Sequence, residues 1–171
     1  MAREANARLE ISLKAEERAT AATGSGGTTA RLPHEHVFVR EFPNGTSDGQ
    51  IDRVWSTVAG SVTAGAAVTV DVVGSLTSKL DSGNTVSFID LQTMIIENTA
   101  TSGNLLVGGA TNAVGLHSAA NDVTVIQPGG CRVFDFGTAG LACVAATSDE
   151  LKVDASAGTV TYKVTVIGRS A

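Results

Sequence analysis

The chain has 171 residues, 43% of them hydrophobic and 17% charged, with a formal net charge of −5. That length suits one domain with an extended arm, and the apolar share is enough for a buried core. The acidic balance and the scattered Lys and Arg count against nucleic acid as a partner, because phosphate binding needs concentrated positive charge.

Aromatic residues make up only 4% of the chain, while Gly (19 residues), Ala, Val, Thr and Ser are abundant. This mixture suits β-structure with small-residue turns rather than a helical bundle, which would draw more on Leu, Glu and Lys. The expectation is an all-β fold, a single β-sandwich or jelly-roll-like domain over residues 34–171 preceded by an N-terminal arm over residues 1–33. In the arm, Leu9, Ile11 and Leu13 alternate with Glu10, Ser12 and Lys14, the period of a strand. A helix from Arg3 to Ala22 competes, since Ala, Glu and Arg are good helix formers. Thr23 to Thr29 (TGSGGTT) has the composition of a linker. Leu9, Ile11 and Leu13 are therefore the arm's candidate interface residues.

The first residues are charged throughout, where a secretory signal needs an apolar stretch, so synthesis in a cytoplasm is expected. Asn44-Gly45-Thr46, a glycosylation triplet in a Pro-Asn-Gly turn, carries little meaning without such a signal. The longest apolar-leaning run, Val58 to Leu76, is broken by Ser, Thr, Gly and Asp71 and is no membrane span.

Further along, Val68, Val70 and Val72 alternate with Thr69 and Asp71, and Thr85 to Glu97 reads as a long central strand covered on both sides. Val123 to Ile126 and Leu151 to Asp154 give shorter alternations. The clearest is Thr159 to Val166, where Val160, Tyr162, Val164 and Val166 share one face. Turn signals separate these runs, among them Thr101-Ser102-Gly103-Asn104, Gln127-Pro128-Gly129-Gly130 and Ala155-Ser156-Ala157-Gly158.

No catalytic constellation emerges, and no enzyme is expected. Gly24-Ser25-Gly26-Gly27 lacks the Lys of a phosphate loop, and no nucleophile elbow is present. His34 and His36 would point the same way on a strand and reach a metal with His117 and a carboxylate; the plainer reading is an exposed strand entrance. Asp71, Asp90 and Asp135 lie within apolar runs, where a pair of carboxylates would serve acid–base chemistry. At period two Asp71 instead faces solvent or a subunit contact. Trp55, the only tryptophan, reads as a core or interface anchor, against the alternative of a sugar-stacking platform in a carbohydrate-binding host-attachment module. Cys131 and Cys143 form no metal or redox motif; they read as two half-buried thiols, with a disulfide as the alternative. No cofactor and no metal ligand set is expected.

The order of DGQIDRVWST, then GSLT at Gly74–Thr77, VGG at Val107–Gly109, PGG at Pro128–Gly130 and LKVDASAGTVTYKVTVIG from Leu151 to Gly168 resembles a family of small phage structural proteins encoded among morphogenesis genes. The resemblance runs from about Val37 to Gly168. Cys131 stands where that family places a hydrophobic residue, and the arm is an addition. The resemblance implies an all-β virion component; it names no location on the particle and supplies no catalytic residue, and assembly in the host cytoplasm is the accompanying expectation. The chain's expected role is capsid decoration or cement, bound to the major capsid protein or other virion proteins. A neck, collar or tail position is the alternative. Homo-oligomerisation, trimeric by symmetry habit, goes with such a role. Neither nucleic acid nor membrane is an expected partner.

Overall fold

A computed structural model describes residues 7–19, 30–57, 59–74, 76–77, 85–116 and 122–170, apart from the side chains of residues 13, 15–19 and 30–34. The described residues are all-β, with no helix among them. They fall into two compact units, Ala7–Phe42 and the chain from Pro43 onward.

The first unit is a two-stranded antiparallel ribbon of β1 (Ala7–Ala19) and β2 (Ala30–Phe42), in unbroken register from Ala7↔Phe42 to Ala19↔Ala30. Thirteen residues per strand give a ribbon roughly 40 Å long at the usual rise. The helix considered for Arg3–Ala22 does not form over residues 7–19. Pairing with β2 collects the alternating Leu9 and Ile11 on one face, and this tertiary context outweighs helix propensity. The linker residues 23–29 lie outside the described residues. Residues 34–42, expected as the start of the sandwich, belong instead to the ribbon, which runs through Pro33; a proline is tolerated in an edge strand.

The second unit contains β3 (Arg53–Ser56), β4 (Gly60–Thr63), β5 (Val68–Asp71), β6 (Leu76–Thr77), β7 (Thr85–Val86) and β8 (Asp90–Asn98). After these come β9 (Leu105–Gly108), β10 (Val123–Ile126), β11 (Cys131–Asp135), β12 (Leu141–Ala142), β13 (Glu150–Ala155) and β14 (Thr159–Arg169). One sheet has the order β10-β9-β13-β5. The other has the order β11-β8-β14-β3, with β12 also on β8 and β4 also on β14. Every ladder is antiparallel.

The connectivity identifies the architecture. β3 and β4 line the same edge of β14, and β11 and β12 the same edge of β8, so each pair counts as one interrupted strand. With the β6–β7 hairpin set aside, eight strand positions remain, in sheets ordered 1-8-3-6 and 2-7-4-5. That is the two-sheet Greek-key arrangement of a jelly roll.

Period-two burial drives the two sheets together. On β14, Val160, Tyr162, Val164 and Val166 are buried while Thr161 is exposed; on β13, Leu151, Val153 and Ala155 are buried between part-exposed Lys152 and Asp154. Trp55, Met94 and Ile96 from one sheet join Val70, Leu105 and Val107 from the other in a single apolar cluster. Each such side chain contributes about 1.5–3 kcal/mol on burial. Gly60 pairs with Tyr162, whose ring lies over it; a Cβ at Gly60 would stand 2.4 Å from that ring.

The long strand expected over Thr85–Glu97 is divided. Thr85–Val86 pairs with β6, and β8 starts only at Asp90. Between them the chain crosses between sheets: the Phe88 N–H donates to the Val72 carbonyl at 3.0 Å and the Ile89 N–H to the Arg169 carbonyl at 2.8 Å. Phe88 is fully buried at the crossing.

Candidate functional site

The carboxylates nominated for acid–base work are kept apart, each with its own bonding. Asp71 closes the turn after β5, its Oδ1 accepting from the N–H of Val73 (2.9 Å) and of Gly74 (2.8 Å). Asp71 is part-exposed, as its place on the polar face of the strand leads one to expect, and the Asx-turn adds a local role to that position. Asp135 accepts from the Gly137 N–H at 3.3 Å. Asp90 is buried against Arg169. Among the described residues no three His, Cys, Asp or Glu side chains are arranged to hold a metal ion. His36 is exposed on β2; His117 and the His34 side chain lie outside the described residues.

Trp55 is a core anchor. Its ring is buried in the apolar cluster, and its indole N–H donates to the Thr77 carbonyl at 3.1 Å. The stacking platform considered for it would need an exposed face, which Trp55 does not offer.

Both cysteines are free thiols, Cys131 exposed and Cys143 buried. Cys131 pairs with Glu97 on β8, whereas Ala142, next to Cys143, pairs with Asp90. The seven residue steps from Asp90 to Glu97 separate the two sites by roughly 23 Å along the strand. A disulfide spans a Cα separation of about 4–7 Å, so the alternative of a bridge within one chain is ruled out by register. Burial, reinforced by Asp90 and Asp149, pushes the Cys143 thiol up to about 12. At pH 8 a chromogenic disulfide reagent is therefore expected to titrate one thiol quickly and the second only in denaturant, with Cys131→Ser abolishing the fast phase. Two fast thiols in the native protein would contradict this placement. Burial also raises the Tyr162 phenol. Both groups fold in their neutral forms, and the unfolded chain gives up those protons first. Their contribution is complete below pH 9 and is lost as pH climbs toward 12.

Two polar centres were not foreseen from the residues. Arg169, 9% exposed, donates from Nε and Nη2 to Asp90 Oδ2 (both 2.7 Å) and from Nη1 to Asp48 Oδ1 (2.8 Å). Its remaining donors reach the carbonyls of Thr46 and Ala139 (both 3.2 Å). Gln92 Nε2 donates to Asp90 Oδ1 at 3.2 Å. One guanidinium thus ties the 43–52 loop and the turn before β12 to the start of β8. The backbone gives it room at Gly168, where β14 slips register against β8 and a Cβ would lie 2.1 Å from the Asp90 carbonyl oxygen. At the other end of β8, buried Asn98 donates to the carbonyls of Gly103 (2.9 Å) and Ile126 (3.0 Å) and accepts from the Ala100 N–H. It locks the two Gly-containing turns anticipated at 101–104 and 127–130. Both groups fasten loops to the ends of β8.

On the ribbon, paired residues share a face, so Leu9, Ile11, Phe38, Arg40 and Phe42 lie together, while Arg8, Glu10, Lys14, Glu35 and Glu41 lie on the other side. Ion pairs run across the charged face, Lys14–Glu35 at 3.1 Å and Arg8–Glu41 at 3.7 Å. On the apolar face Leu9 and Phe42 are buried, and Arg40 stacks over the Phe42 ring at 4.9 Å. Ile11 and its partner Phe38 stay open at 41% and 38% exposure, and Val37 and Val39 on the opposite side are also exposed. Of the three residues named for the arm, Leu9 and Ile11 share this face; Leu13 pairs with His36, and its side chain is outside the described residues.

No family model, no curated protein and no solved structure matches the chain. Its class therefore rests on its own architecture: a jelly roll accompanied by an amphipathic two-stranded ribbon.

Proposed function

We propose that this chain is a non-enzymatic bacteriophage virion structural protein, a decoration or cement component of the head. It binds the major capsid protein or other virion proteins and assembles in the host cytoplasm into the particle. The observation that carries this is the ribbon, a long, separately compact element with open apolar side chains at its middle. An isolated two-stranded ribbon is marginal in water and gains stability when further strands or surfaces cover it. A lattice that presents many copies at high local concentration supplies such cover, even where each contact is small. The motif order from DGQIDRVWST to the final hairpin supports the same reading. So does the absorption of Asp71, Asp90 and Trp55 into turns, buried pairing and core.

The test is the copy number in purified particles, by quantitative mass spectrometry. A number that scales with the major capsid protein is the expected result. A single ring's worth of copies would move the protein to the neck, collar or tail, and absence from particles would end the virion reading.

A further inference from the structure

The two edges of the ribbon are built differently. β1 carries Arg8, Glu10, Lys14, Glu16, Glu17 and Arg18, a density of charge that protects an edge strand from pairing with another chain. β2 has no such protection at its centre: His36-Val37-Phe38-Val39 holds no acidic, Lys or Arg residue. Val37, Phe38 and Val39 are 48%, 38% and 43% exposed, so three consecutive side chains are open on both faces of the strand. A run apolar on both faces belongs to the interior of a sheet, not to its rim. Left open, it is also the kind of segment that aggregates.

We infer that β2 pairs edge to edge with β2 of a second copy, joining two ribbons into one four-stranded antiparallel sheet, β1-β2-β2-β1. The charge pattern selects the edge, since the outer strands of such a sheet are the charged β1 strands, whose side chains suit solvent. Strand count selects the partner. One added strand from any source would leave a new open edge, whereas a second ribbon raises the sheet past the three strands needed for stability and ends it on charged rims. Symmetry permits it: a two-fold axis normal to the sheet relates antiparallel strands, keeps each residue on its own face and closes the contact. Both copies' Ile11 and Phe38 then lie on one face, and both copies' Val37 and Val39 on the other. This deepens the role proposed for the ribbon but does not depend on the virion: the contact forms between purified chains.

The test compares the solution mass of the intact chain with that of Val37→Lys/Val39→Lys and of a control, Val125→Lys, on the exposed edge strand β10. The expected result is a two-fold oligomer whose mass falls by half in the double variant and is unchanged in the control. A monomeric wild type, a strict trimer, or dissociation in the control alone would overturn the inference. Should the lysines unfold the ribbon, single cysteines at Val37, Phe38 or Val39 in a Cys131→Ser background give a second readout. Mild oxidation is expected to link two chains through at least one of these positions and not through a cysteine at Glu10. A link at Glu10 with none on β2 would overturn the inference, while particle copy number separately judges the virion assignment.

Discussion

Replacing Arg169 with alanine is expected to lower folding stability by about 3–5 kcal/mol, the range for removing one partner of a buried ion pair. The loss comes less from the missing attraction than from what is left behind. Asp90, 5% exposed, would be left with Gln92 as its side-chain donor, and the Thr46 and Ala139 carbonyls would lose theirs. Asp48 is a useful contrast. It binds the same guanidinium at 2.8 Å, but its side chain is 73% exposed, so Asp48→Asn should cost no more than the ~0–1 kcal/mol of a surface pair. Replacing both buried partners with apolar residues should recover much of the loss, since no buried charge is then left unpaired. Urea denaturation midpoints measure all three. Equal effects for Arg169→Ala and Asp48→Asn would show that the buried pairing does not hold the two loops.

The second large effect is at Trp55. Trp55→Ala should cost about 3–5 kcal/mol, the usual range for deleting a large buried aromatic. Trp55→Phe should retain most of the packing and lose chiefly the bond to the carbonyl of exposed Thr77, a cost of about 0.5–1.5 kcal/mol. Because this is the only tryptophan, its emission reports on the sandwich alone. The native spectrum is expected to be shifted to shorter wavelength and to move red in the same transition that circular dichroism follows. Glycans should leave that spectrum unchanged. A sugar-dependent change in Trp55 emission would instead restore the stacking role.

The fold was legible wherever the signal was local. Val160, Tyr162, Val164 and Val166 announce a half-buried strand because alternation needs no information from elsewhere in the chain, and the same holds for Leu151 and Val153. Gly-rich turns fell where the residues placed them. What stayed hidden depends on distant partners. Arg169 at the end of an apolar strand looks like a solvent-facing terminus, and its meaning comes from Asp90 and Asp48, 79 and 121 positions away. Asn98 likewise draws on Ile126, 28 positions on. β2 was concealed by Pro33 and by the contiguous Val37-Phe38-Val39, which has no period of two, so its membership in the ribbon became visible only through its register with β1. Trp55 was readable as an anchor because a single tryptophan without a second aromatic beside it makes a poor sugar site.

The jelly roll places its first and last strand positions side by side, so Ser56 meets Thr165 across 109 positions of chain. Contacts this distant must be reached against loop-closure entropy, which puts such folds among the slower ones, in the range of milliseconds to seconds. The ribbon closes between neighbours in the chain, on the ~1–10 μs scale of hairpins. During synthesis β1 and β2 therefore emerge, and can meet, well before β14 leaves the ribosome to complete the sandwich. For that interval the chain shows its open β2 edge without a finished body. Crowding of nascent chains on one message, and the temperature at which they are made, should then influence yield more than the stability of the finished fold does.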